Sequence, residues 1–498
     1  MNQPHSALDT ALKHAMRLSG QHLYAGRLQA PLGGKTFPVS SPATRQPVGM
    51  AADGDERDVT AAVDAAVAAK SDWAAMSPRA RGQILQKAAA SLAEHTEEIA
   101  TMLALETGKA IRTESRVEAN VLADCFEFYG GLGSELKGET IPFAPNMLVF
   151  TQREPIGVVA VILPWNAPLM LMAFKIAPAL VAGNTVVIKS AEEAPLSTLF
   201  VVDLLNRTLP PGTINILSGF GPTCGGPLIA DPRIGKVTFT GSVETGKIIA
   251  RAAADRLIPA TLELGGKSPM IVMEDADLER AVAGAVAGMR FTRQGQSCTA
   301  ASRMFVHRSL CEEFVARMSN VVNAMVMGDP LDERTDIGTI ISAAQLDRVR
   351  SYVDIGRQMP GVQTLQLSSM PEASELKDGF FVQPTVFVGV SNDDRLAREE
   401  IFGPVTCVIP FDDYEEVISM ANDSDYGLAA TIWTKDLRRA LDATQRLQAG
   451  FVQVNQNIVA QPGLSYGGIK LSGLGKEASM EAMLDHFTQK KTVLISRE

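Results

Sequence analysis

The chain has 498 residues, enough for more than one domain with a large core. Hydrophobic residues make up 46% and charged residues 20%, as is usual for a globular protein, and the formal net charge of −10 argues against nucleic acid or an anionic membrane as the main partner. The five cysteines form no CxxC pair and the six histidines form no metal-binding motif. Cysteine usage therefore indicates a reducing, cytoplasmic location, and no metal is expected.

The N-terminal part of the chain predicts two helices. In "HSALDTALKHAMRL" the side chains of Leu8, Leu12 and Met16 share one face of a short amphipathic helix, and its charges argue against a secretion signal. In "RDVTAAVDAAVAAKSDW" three valines fall four residues apart, which is the spacing of a helix with one buried face.

Residues 155–174, "PIGVVAVILPWNAPLMLMAF", contain Asn166 as their only strongly polar side chain. Their length would permit a membrane-spanning helix. Pro164 and Pro168 interrupt the segment, however, and "GVVAVIL" has the β-branched composition of a buried strand. We therefore expect a strand, a loop that carries Asn166 at the carboxyl end of this strand, and then a helix.

Beyond this segment, strand and helix patterns alternate. "GVVAVIL", "NTVVIKS", "GTINILSG" and "GKVTFTGS" are followed by a second series, "SPMIVM", "RMFVH", "PTVFVGV", "VTCVIPF", "AATIWT" and "GFVQVNQ". This alternation predicts an α/β protein with two doubly wound parallel sheets, joined near residues 264–268. The final run, "FTQKKTVLIS", predicts a strand that pairs with another segment or subunit.

Two glycine-rich turns are expected beyond the carboxyl ends of the strands, where open α/β sheets bind ligands. "GFGPTCG" supplies Gly221 and Gly225, in a spacing one residue too long for the dinucleotide fingerprint. "FTGSVETG" places Gly241 and Ser242 where a helix begins and free N–H groups can meet a phosphate. Each motif alone is equally consistent with glycines that serve only turns and packing.

An acidic residue follows the second predicted strand. In "VVIKSAEE" the strand ends at Lys189, and Glu192 comes three residues later. A carboxylate at this point can accept hydrogen bonds from a ribose and would repel a 2′-phosphate. The alternative is an ordinary solvated glutamate, which is the commoner role for a single Glu.

Cys298 lies among small residues in "GQSCTAASR", between Arg293 and Arg303. A structural cysteine is usually buried among apolar side chains, whereas a reactive one must be reachable and have donors or positive charge nearby. Composition alone does not choose between these interpretations. The other four cysteines, at positions 125, 224, 311 and 407, fall in helix or strand patterns and are interpreted as packing residues.

Together, nine motifs resemble the aldehyde dehydrogenase superfamily over about residues 39–493. In chain order they are "PWNAP", "FKIAPAL", "AGNTVVIKSAEEAPLS", "PPGTINILSGFGP", "VTFTGS", "LELGGKSP", "GQSCTAASR", "REEIFGPV" and "YGGIKLSGLGKE". The resemblance implies NAD-dependent oxidation of a small-molecule aldehyde to its carboxylic acid. Residues 1–20 lie outside it.

The resemblance also implies the catalytic residues. Cys298 would be the nucleophile, forming a thiohemiacetal and then a thioester. Asn166 and the backbone N–H of Cys298 would bind the oxyanion, and Glu263 would activate the hydrolytic water. Lys175 and Glu477 match positions implicated in proton relay, although the charged sequence around Glu477 favours almost equally an exposed side chain without that role.

By the same resemblance the cofactor is NAD, with NADP less favoured because of the carboxylate of Glu192. Lys189 and Glu192 would bind the adenosine ribose. The other implied contacts are to the pyrophosphate and to the nicotinamide ribose and ring, and they come from Trp165, Gly241, Ser242, Glu400 and Phe402.

The implied substrate tunnel is lined by Ala167, Met170, Leu171, Phe174, Thr292, Ser297, Thr299 and Tyr466. Ala167 and Thr292 stand where relatives that favour small aldehydes have aromatic residues. Phe174 and Thr292 stand where succinate-semialdehyde enzymes have arginines. These differences predict an aromatic or medium-length apolar aldehyde. If Arg290 or Arg293 turns inward, an acidic aldehyde, as in a semialdehyde dehydrogenase, becomes the better prediction.

Two other functions remain open. One is transfer of the acyl group to coenzyme A, but enzymes of that branch typically lack a Glu at the position of Glu263. The other is a non-catalytic binding protein, which the complete set of Cys298, Glu263 and Asn166 argues against.

The predicted cofactor-binding domain comprises residues 1–133 and 156–266, and the catalytic domain residues 267–471. Residues 134–155 are predicted to form an oligomerisation hairpin. Residues 472–498 are predicted to return to the first domain and end in an oligomerisation strand, which implies a homodimer or homotetramer.

Overall fold

The computed structural model describes residues 3–458 and 460–497. Its helices are α1 (Gln3–Leu18), α2 (Glu56–Ala75), α3 (Pro78–Glu94), α4 (Thr96–Thr107), α5 (Arg116–Gly131), α6 (Pro168–Val181), α7 (Pro195–Leu205), α8 (Gly226–Ala230), α9 (Val243–Asp255), α10 (Leu278–Met289), α11 (Arg308–Asn323), α12 (Ala343–Arg357), α13 (Arg395–Arg398), α14 (Tyr414–Asn422), α15 (Leu437–Arg446) and α16 (Met480–Phe487).

The strands of the first half are β1 (His22–Tyr24), β2 (Arg27–Gln29), β3 (Thr36–Ser40), β4 (Pro47–Ala52), β5 (Thr140–Ile141), β6 (Met147–Pro155), β7 (Val158–Ile162), β8 (Thr185–Lys189), β9 (Ile214–Leu217), β10 (Ile234–Thr240) and β11 (Ala260–Glu263). Those of the second half are β12 (Pro269–Val272), β13 (Arg303–His307), β14 (Gln363–Gln366), β15 (Thr385–Val388), β16 (Val405–Phe411), β17 (Tyr426–Gly427), β18 (Ala429–Trp433), β19 (Phe451–Val454), β20 (Ile469–Lys470), β21 (Gly473–Leu474) and β22 (Thr488–Ser496).

The first large sheet has the order β2-β1-β9-β8-β7-β10-β11-β21. Its five central strands, in the order β9, β8, β7, β10 and β11, are parallel. Four of them match the predicted strands, whereas β11 was not predicted. β1, β2 and β21 add antiparallel edges, and the sequence did not indicate them because each has only two or three residues.

The centre of this sheet contains a topological switch point. From β7 the chain continues to β8 and β9 on one side, whereas β10 and β11 lie on the other side. The helices that follow β7 and β10 therefore leave the sheet in opposite directions and open a crevice above the carboxyl ends of these two strands. Such crevices are where open α/β sheets bind ligands.

The second large sheet has the order β14-β15-β16-β13-β12-β18-β19. All six strands predicted from the second series are present and parallel. β14 is an additional antiparallel edge strand, and its sequence "QTLQ" carries little β signal. The mixed α/β architecture with two largely parallel sheets is thus confirmed, whereas the domain boundaries stay predictions.

The C-terminal strand belongs to a third, antiparallel sheet of order β22-β6-β5. β22 pairs with β6 of the same chain over nine residues, from Thr488 opposite Pro155 to Ser496 opposite Met147. The predicted pairing partner is therefore another segment of the chain. β22 is also an edge strand, so its second side remains available for a neighbouring subunit.

Helix α1 is present, but its buried face differs in part from the predicted one. Ala11, Ala15 and Leu18 are buried against α4 and α7, while Met16 is 75% exposed. Leu8 and Leu12 of the predicted apolar face are half-buried, so the prediction fails only for Met16.

The apolar segment at residues 155–174 contains β7, a loop and the start of α6, as predicted. None of the helices within residues 3–458 and 460–497 is long and apolar enough to cross a membrane. In the same part of the chain, no three His, Cys, Asp or Glu side chains are grouped as metal ligands.

Candidate active site

A groove lies in the crevice above β7 and β10. It consists of two cavities of about 520 and 410 Å³ that share a wall made of Pro164, Trp165, Thr240, Gly241 and Ser242. The first cavity extends to Lys189, Glu192, Gly221 and Gly225, and the second to Asn166, Cys298, Glu400 and Phe402. The structure thus brings all nine predicted cofactor residues to one groove that ends at the predicted nucleophile.

Glu192 and Lys189 form one end of the groove. The Lys189 ammonium donates a hydrogen bond to the Glu192 carboxylate over 2.8 Å, and the Gly221 N–H donates to the same oxygen over 3.0 Å. A Cβ atom at Gly221 or Gly225 would meet no atom within 4 Å. These glycines therefore leave the wall of the cavity open rather than serving close packing.

The middle of the groove lies at the first turn of α9. The Ser242 side chain caps this helix by accepting a hydrogen bond from the Thr245 N–H over 3.2 Å. N–H groups of a first helical turn have no partner within the helix and attract anions. Nearby, the Thr240 hydroxyl is buried without a hydrogen-bond partner among the described residues. A phosphate would satisfy donors of this kind.

Phe402, Trp165 and Glu400 form the other end. The two rings meet edge to face with centroids 5.2 Å apart, and Phe402 has φ 59°, which is uncommon for a residue other than glycine. The Glu400 carboxylate accepts a hydrogen bond from the Gly266 N–H over 2.8 Å, and burial raises the pKa of Glu400 to about 7. The positive φ of Phe402 is a strained backbone conformation, and such conformations concentrate at functional sites.

The predicted nucleophile follows an irregular turn. After α10 the backbone is left-handed at Arg290 and Gln294, and Cys298 comes four residues after Gln294. Cys298 is partly exposed in the groove, whereas the other four cysteines are buried, as predicted. Its Sγ lies 3.3 Å from the Tyr466 hydroxyl. Burial raises the pKa of the Cys298 thiol to about 11, and the hydrogen bond from Tyr466 and the charge of Arg293 oppose this rise.

Two glycines that follow β11 allow the backbone to lie close to Cys298 and Glu400. A Cβ atom at Gly266 would come within 2.4 Å of the Cys298 carbonyl oxygen, and one at Gly265 within 2.2 Å of the Glu400 carboxylate. A side chain at either position would push these groups apart. Gly265 and Gly266 are therefore required because the backbone approaches Glu400 and Cys298 too closely for a side chain.

The predicted oxyanion donors face the same cavity. The Asn166 Nδ2 donates one hydrogen bond, over 3.2 Å, to the Gln296 carbonyl oxygen, which leaves its second hydrogen for a ligand. The backbone N–H of Cys298 donates to none of the described residues. Two donors are thus available beside the thiol.

Glu263 ends strand β11 and is buried. Neither carboxylate oxygen has a hydrogen-bond partner among the described residues. Burial, and then the charge of Glu477, raise the pKa of Glu263 well above its ordinary value, while Lys175 and Lys476 oppose this rise. When ionised, this carboxylate is a stronger base than an exposed one.

Glu477 is 2% exposed, so the prediction of an exposed side chain was wrong. The Lys175 ammonium donates to both Glu477 oxygens over 2.8 Å, and the Thr238 hydroxyl donates to one of them over 3.1 Å. Two backbone hydrogen bonds of 2.9 and 2.7 Å join Glu477 to Tyr466 and carry the charged segment into the core. Pairing with Lys175 compensates the cost of burying the carboxylate.

The predicted substrate residues divide into two groups. Ala167, Leu171, Phe174 and Tyr466 are buried in one apolar cluster, against which Met170 and Cys298 pack. The others lie on the loop around Cys298: the Ser297 and Thr299 hydroxyls are 3.2 Å apart, and the Thr292 hydroxyl donates to Glu114.

The two arginines that flank Cys298 in sequence are structural. Arg303 donates from its guanidinium to the carbonyl oxygens of Lys267 and Ala421, away from the thiol. Arg293 is buried in an ion pair with Glu114, with a shortest distance of 2.6 Å. Arg303 is therefore near Cys298 in sequence but does not place its charge beside the thiol. Arg293 does act on the thiol and lowers its pKa.

Sequence reasoning missed several residues of the site. Gln345 and Arg348 line the groove from α12, and no motif in that helix signals them. Tyr466 was predicted as a tunnel residue, but its hydroxyl also contacts the thiol. Glu114 positions the nucleophile loop from a single π-helical turn at Ile111–Ser115. Such turns are frequent at functional sites, but the sequence did not reveal this one.

A family model described as "Aldehyde dehydrogenase family" matches residues 30–493. The chain belongs to the aldehyde dehydrogenase family. This match contains the whole predicted range of about residues 39–493, so the predicted resemblance is confirmed over its full extent. The protein is thus an enzyme, an aldehyde dehydrogenase.

Relatives of this aldehyde dehydrogenase act on different aldehydes. It is 39% identical over 490 residues to a hydroxyisobutyraldehyde dehydrogenase of Mycolicibacterium austroafricanum (98% of this chain, 95% of that protein). It is 40% identical over 477 residues to a betaine aldehyde dehydrogenase of Sinorhizobium fredii (95% and 96%). A solved NAD⁺ complex of an aldehyde dehydrogenase from Bacillus cereus superposes with a TM-score of 0.94 at 37% identity, covering 98% of each chain. Similarity at this level establishes the reaction class but not the substrate.

Proposed function

We propose that this enzyme oxidises an aldehyde to its carboxylic acid with NAD and releases the acid by hydrolysis. The observation that carries the proposal is that Cys298 and Asn166 lie at one end of a groove that fits a dinucleotide, with the buried Glu263 near enough to act on the charge of Cys298. NAD is present in the solved relative from Bacillus cereus.

The residues along the groove fit NAD in order. Lys189 and Glu192 would bind the adenosine ribose, the first turn of α9 with Ser242 the pyrophosphate, and Glu400 the nicotinamide ribose. The Glu192 carboxylate favours NAD over NADP because a 2′-phosphate would meet its negative charge. When bound, NAD supplies the hydride acceptor.

The chain's own residues would perform the acyl chemistry. The Cys298 thiolate attacks the aldehyde carbon, and Asn166 together with the Cys298 N–H stabilises the resulting oxyanion. Departure of the hydride leaves a thioester on Sγ. Glu263 then takes a proton from a water molecule, which attacks the thioester carbonyl and releases the acid and the thiolate. The buried pair of Lys175 and Glu477 would carry protons away from Glu263.

The body of the substrate is proposed to be aromatic or of medium length and apolar. Ala167 and Thr292 are smaller than the aromatic residues that some relatives have at these positions, and the rings of Phe174 and Tyr466 belong to the apolar cluster against which Cys298 packs. Flat rings would gain favourable contacts there.

Two variants test the mechanism, with NADH followed at 340 nm over a panel of aldehydes. Cys298→Ala should abolish NADH formation because no thiohemiacetal can form. Glu263→Gln should release about one NADH per active site and then stall as the thioester. Cys311→Ala, a change on α11, is the control and should behave as wild type.

Undiminished steady turnover in Glu263→Gln would refute the role of this residue as the base. Turnover of the wild type that requires coenzyme A would instead support acyl transfer. No NADH with any aldehyde would refute the proposed reaction.

A further inference from the structure

Arg290 presents a guanidinium edge that has no partner. Its Nε and Nη2 atoms are buried and make no hydrogen bond within the part of the chain that the structure describes. These two atoms form the fork that binds a carboxylate through two parallel hydrogen bonds. Three residues later, Arg293 uses the same two atoms for Glu114, over 2.7 and 2.6 Å. The same edge is therefore filled in one arginine and empty in the other.

The conformation of Arg290 is also unusual. It follows the last residue of α10 with φ 57° and ψ 45°, a left-handed conformation that helix ends usually assign to glycine. A residue with a side chain costs more here, about 1 kcal/mol or more. Its carbonyl oxygen accepts hydrogen bonds from the N–H groups of Arg293 and Gly295, which tie it to the nucleophile loop. The side chain thus starts from a fixed point close to Cys298.

Arg290 has no ion-pair partner among the described residues. Lys109 pairs with Glu118 over 2.5 Å and Arg293 pairs with Glu114 over 2.6 Å, so both of these carboxylates already have a cationic partner other than Arg290. Arg293 and Glu114 are charged neighbours of Arg290, and the Cys298 thiol and Tyr466 hydroxyl lie within its electrostatic reach. Burial lowers the pKa of Arg290 to about 10, so its charge persists at neutral pH. An anion brought in by a ligand could therefore pair with Arg290.

We propose that Arg290 binds a carboxylate on the far end of the substrate, so that the enzyme's preferred substrates are acidic aldehydes. The proposal rests on the function proposed above and adds to it the chemical class of the substrate. The apolar cluster would hold the body of such a molecule, and Arg290 its anionic group. Arg290 is partly exposed as a residue, and its unpaired Nε and Nη2 atoms are the ones that would bind the carboxylate. The arginines that succinate-semialdehyde enzymes use are replaced here by Phe174 and Thr292, so this chain would rely on a different arginine.

The test uses two pairs of aldehydes that differ in the carboxylate: 4-formylbenzoate with 4-methylbenzaldehyde, and succinic semialdehyde with butanal. We expect the wild type to favour the acidic member of at least one pair by about tenfold or more in kcat/KM. Arg290→Met should lower kcat/KM for the acidic aldehyde about 100-fold, mainly through KM, and change the neutral one less than about threefold. Arg290→Lys should restore part of the loss, because it keeps the charge but not the fork. Arg280→Met, on the exposed side of the same helix, is the control.

Equal losses for the acidic and neutral aldehydes in Arg290→Met would overturn the proposal, since they would mean a structural role or an effect on the thiol. The absence of any preference for the acidic aldehydes in the wild type would overturn it as well. If Arg290→Met does not fold, Arg290→Lys and the preference of the wild type decide. If even neutral aldehydes yield no NADH, it is the proposed function that fails.

Discussion

Removal of the Tyr466 hydroxyl should make Cys298 less reactive. This hydroxyl lies 3.3 Å from Sγ, and the thiolate can only accept a hydrogen bond from it. Burial already raises the pKa of the thiol to about 11, so little thiolate exists at neutral pH. A hydrogen bond to a charged group contributes about 1.5–3 kcal/mol, and 1.36 kcal/mol corresponds to one pH unit. Tyr466→Phe should therefore raise the pKa further, by about one pH unit or more.

The measurement is the rate of alkylation of Cys298 by iodoacetamide between pH 7 and 10, without cofactor or substrate. Below the pKa this rate follows the thiolate fraction, so Tyr466→Phe should react at least about tenfold more slowly than wild type at every pH. Cys298→Ala gives the background from the other cysteines. Tyr414→Phe, which removes a hydroxyl bonded to Asp442 instead, is the matched control. Equal rates in Tyr466→Phe and wild type would refute the assignment of the hydroxyl as a donor to the thiolate.

Two further predictions concern the cofactor and assembly. Glu192→Ser should raise kcat/KM for NADP relative to NAD, because it removes the repelling carboxylate and frees the Lys189 ammonium for a 2′-phosphate; a wild type that already prefers NADP would contradict this. Deletion of residues 488–498 should reduce the particle mass in light scattering, because it removes edge strand β22 and unpairs β6. A wild-type monomer would contradict this role of β22.

The parallel strands were the most predictable part of the fold. Buried on both faces, they consist of continuous β-branched runs such as "TVVIK", which local sequence reveals. Apart from β11, the missed strands of the two large sheets are short edges, such as β21, whose pairing with β11 depends on a chain return of about 200 residues. Nothing in two residues of sequence indicates such a contact.

The site was predictable where the chemistry depends on residue type and short spacing. Cys298, Asn166 and Glu263 each occur in a motif, and the groove brings together Lys189, Glu192 and the glycine-rich turns. Orientation was not predictable. Arg303 turns away from the thiol next to which it stands in sequence, and the polar segment around Glu477 is carried into the core by Tyr466. Both outcomes depend on partners that are distant in sequence.

The buried ionic groups of this enzyme separate into two kinds. Lys175 with Glu477 and Arg293 with Glu114 have their partners within the chain, so their energetic cost is compensated in the folded protein. The fork of Arg290, both oxygens of Glu263 and the Nζ of Lys267 have none among the described residues. Leaving a buried polar group unpaired is costly, and such strain persists where a ligand or reacting molecule supplies the missing partner. For Glu263 that molecule would be the hydrolytic water, and for Arg290 the carboxylate of the substrate. Glu263 and Arg290 would thus mark two places where the reaction brings in a molecule from outside, whereas the unpaired Nζ of Lys267 has no such role assigned to it.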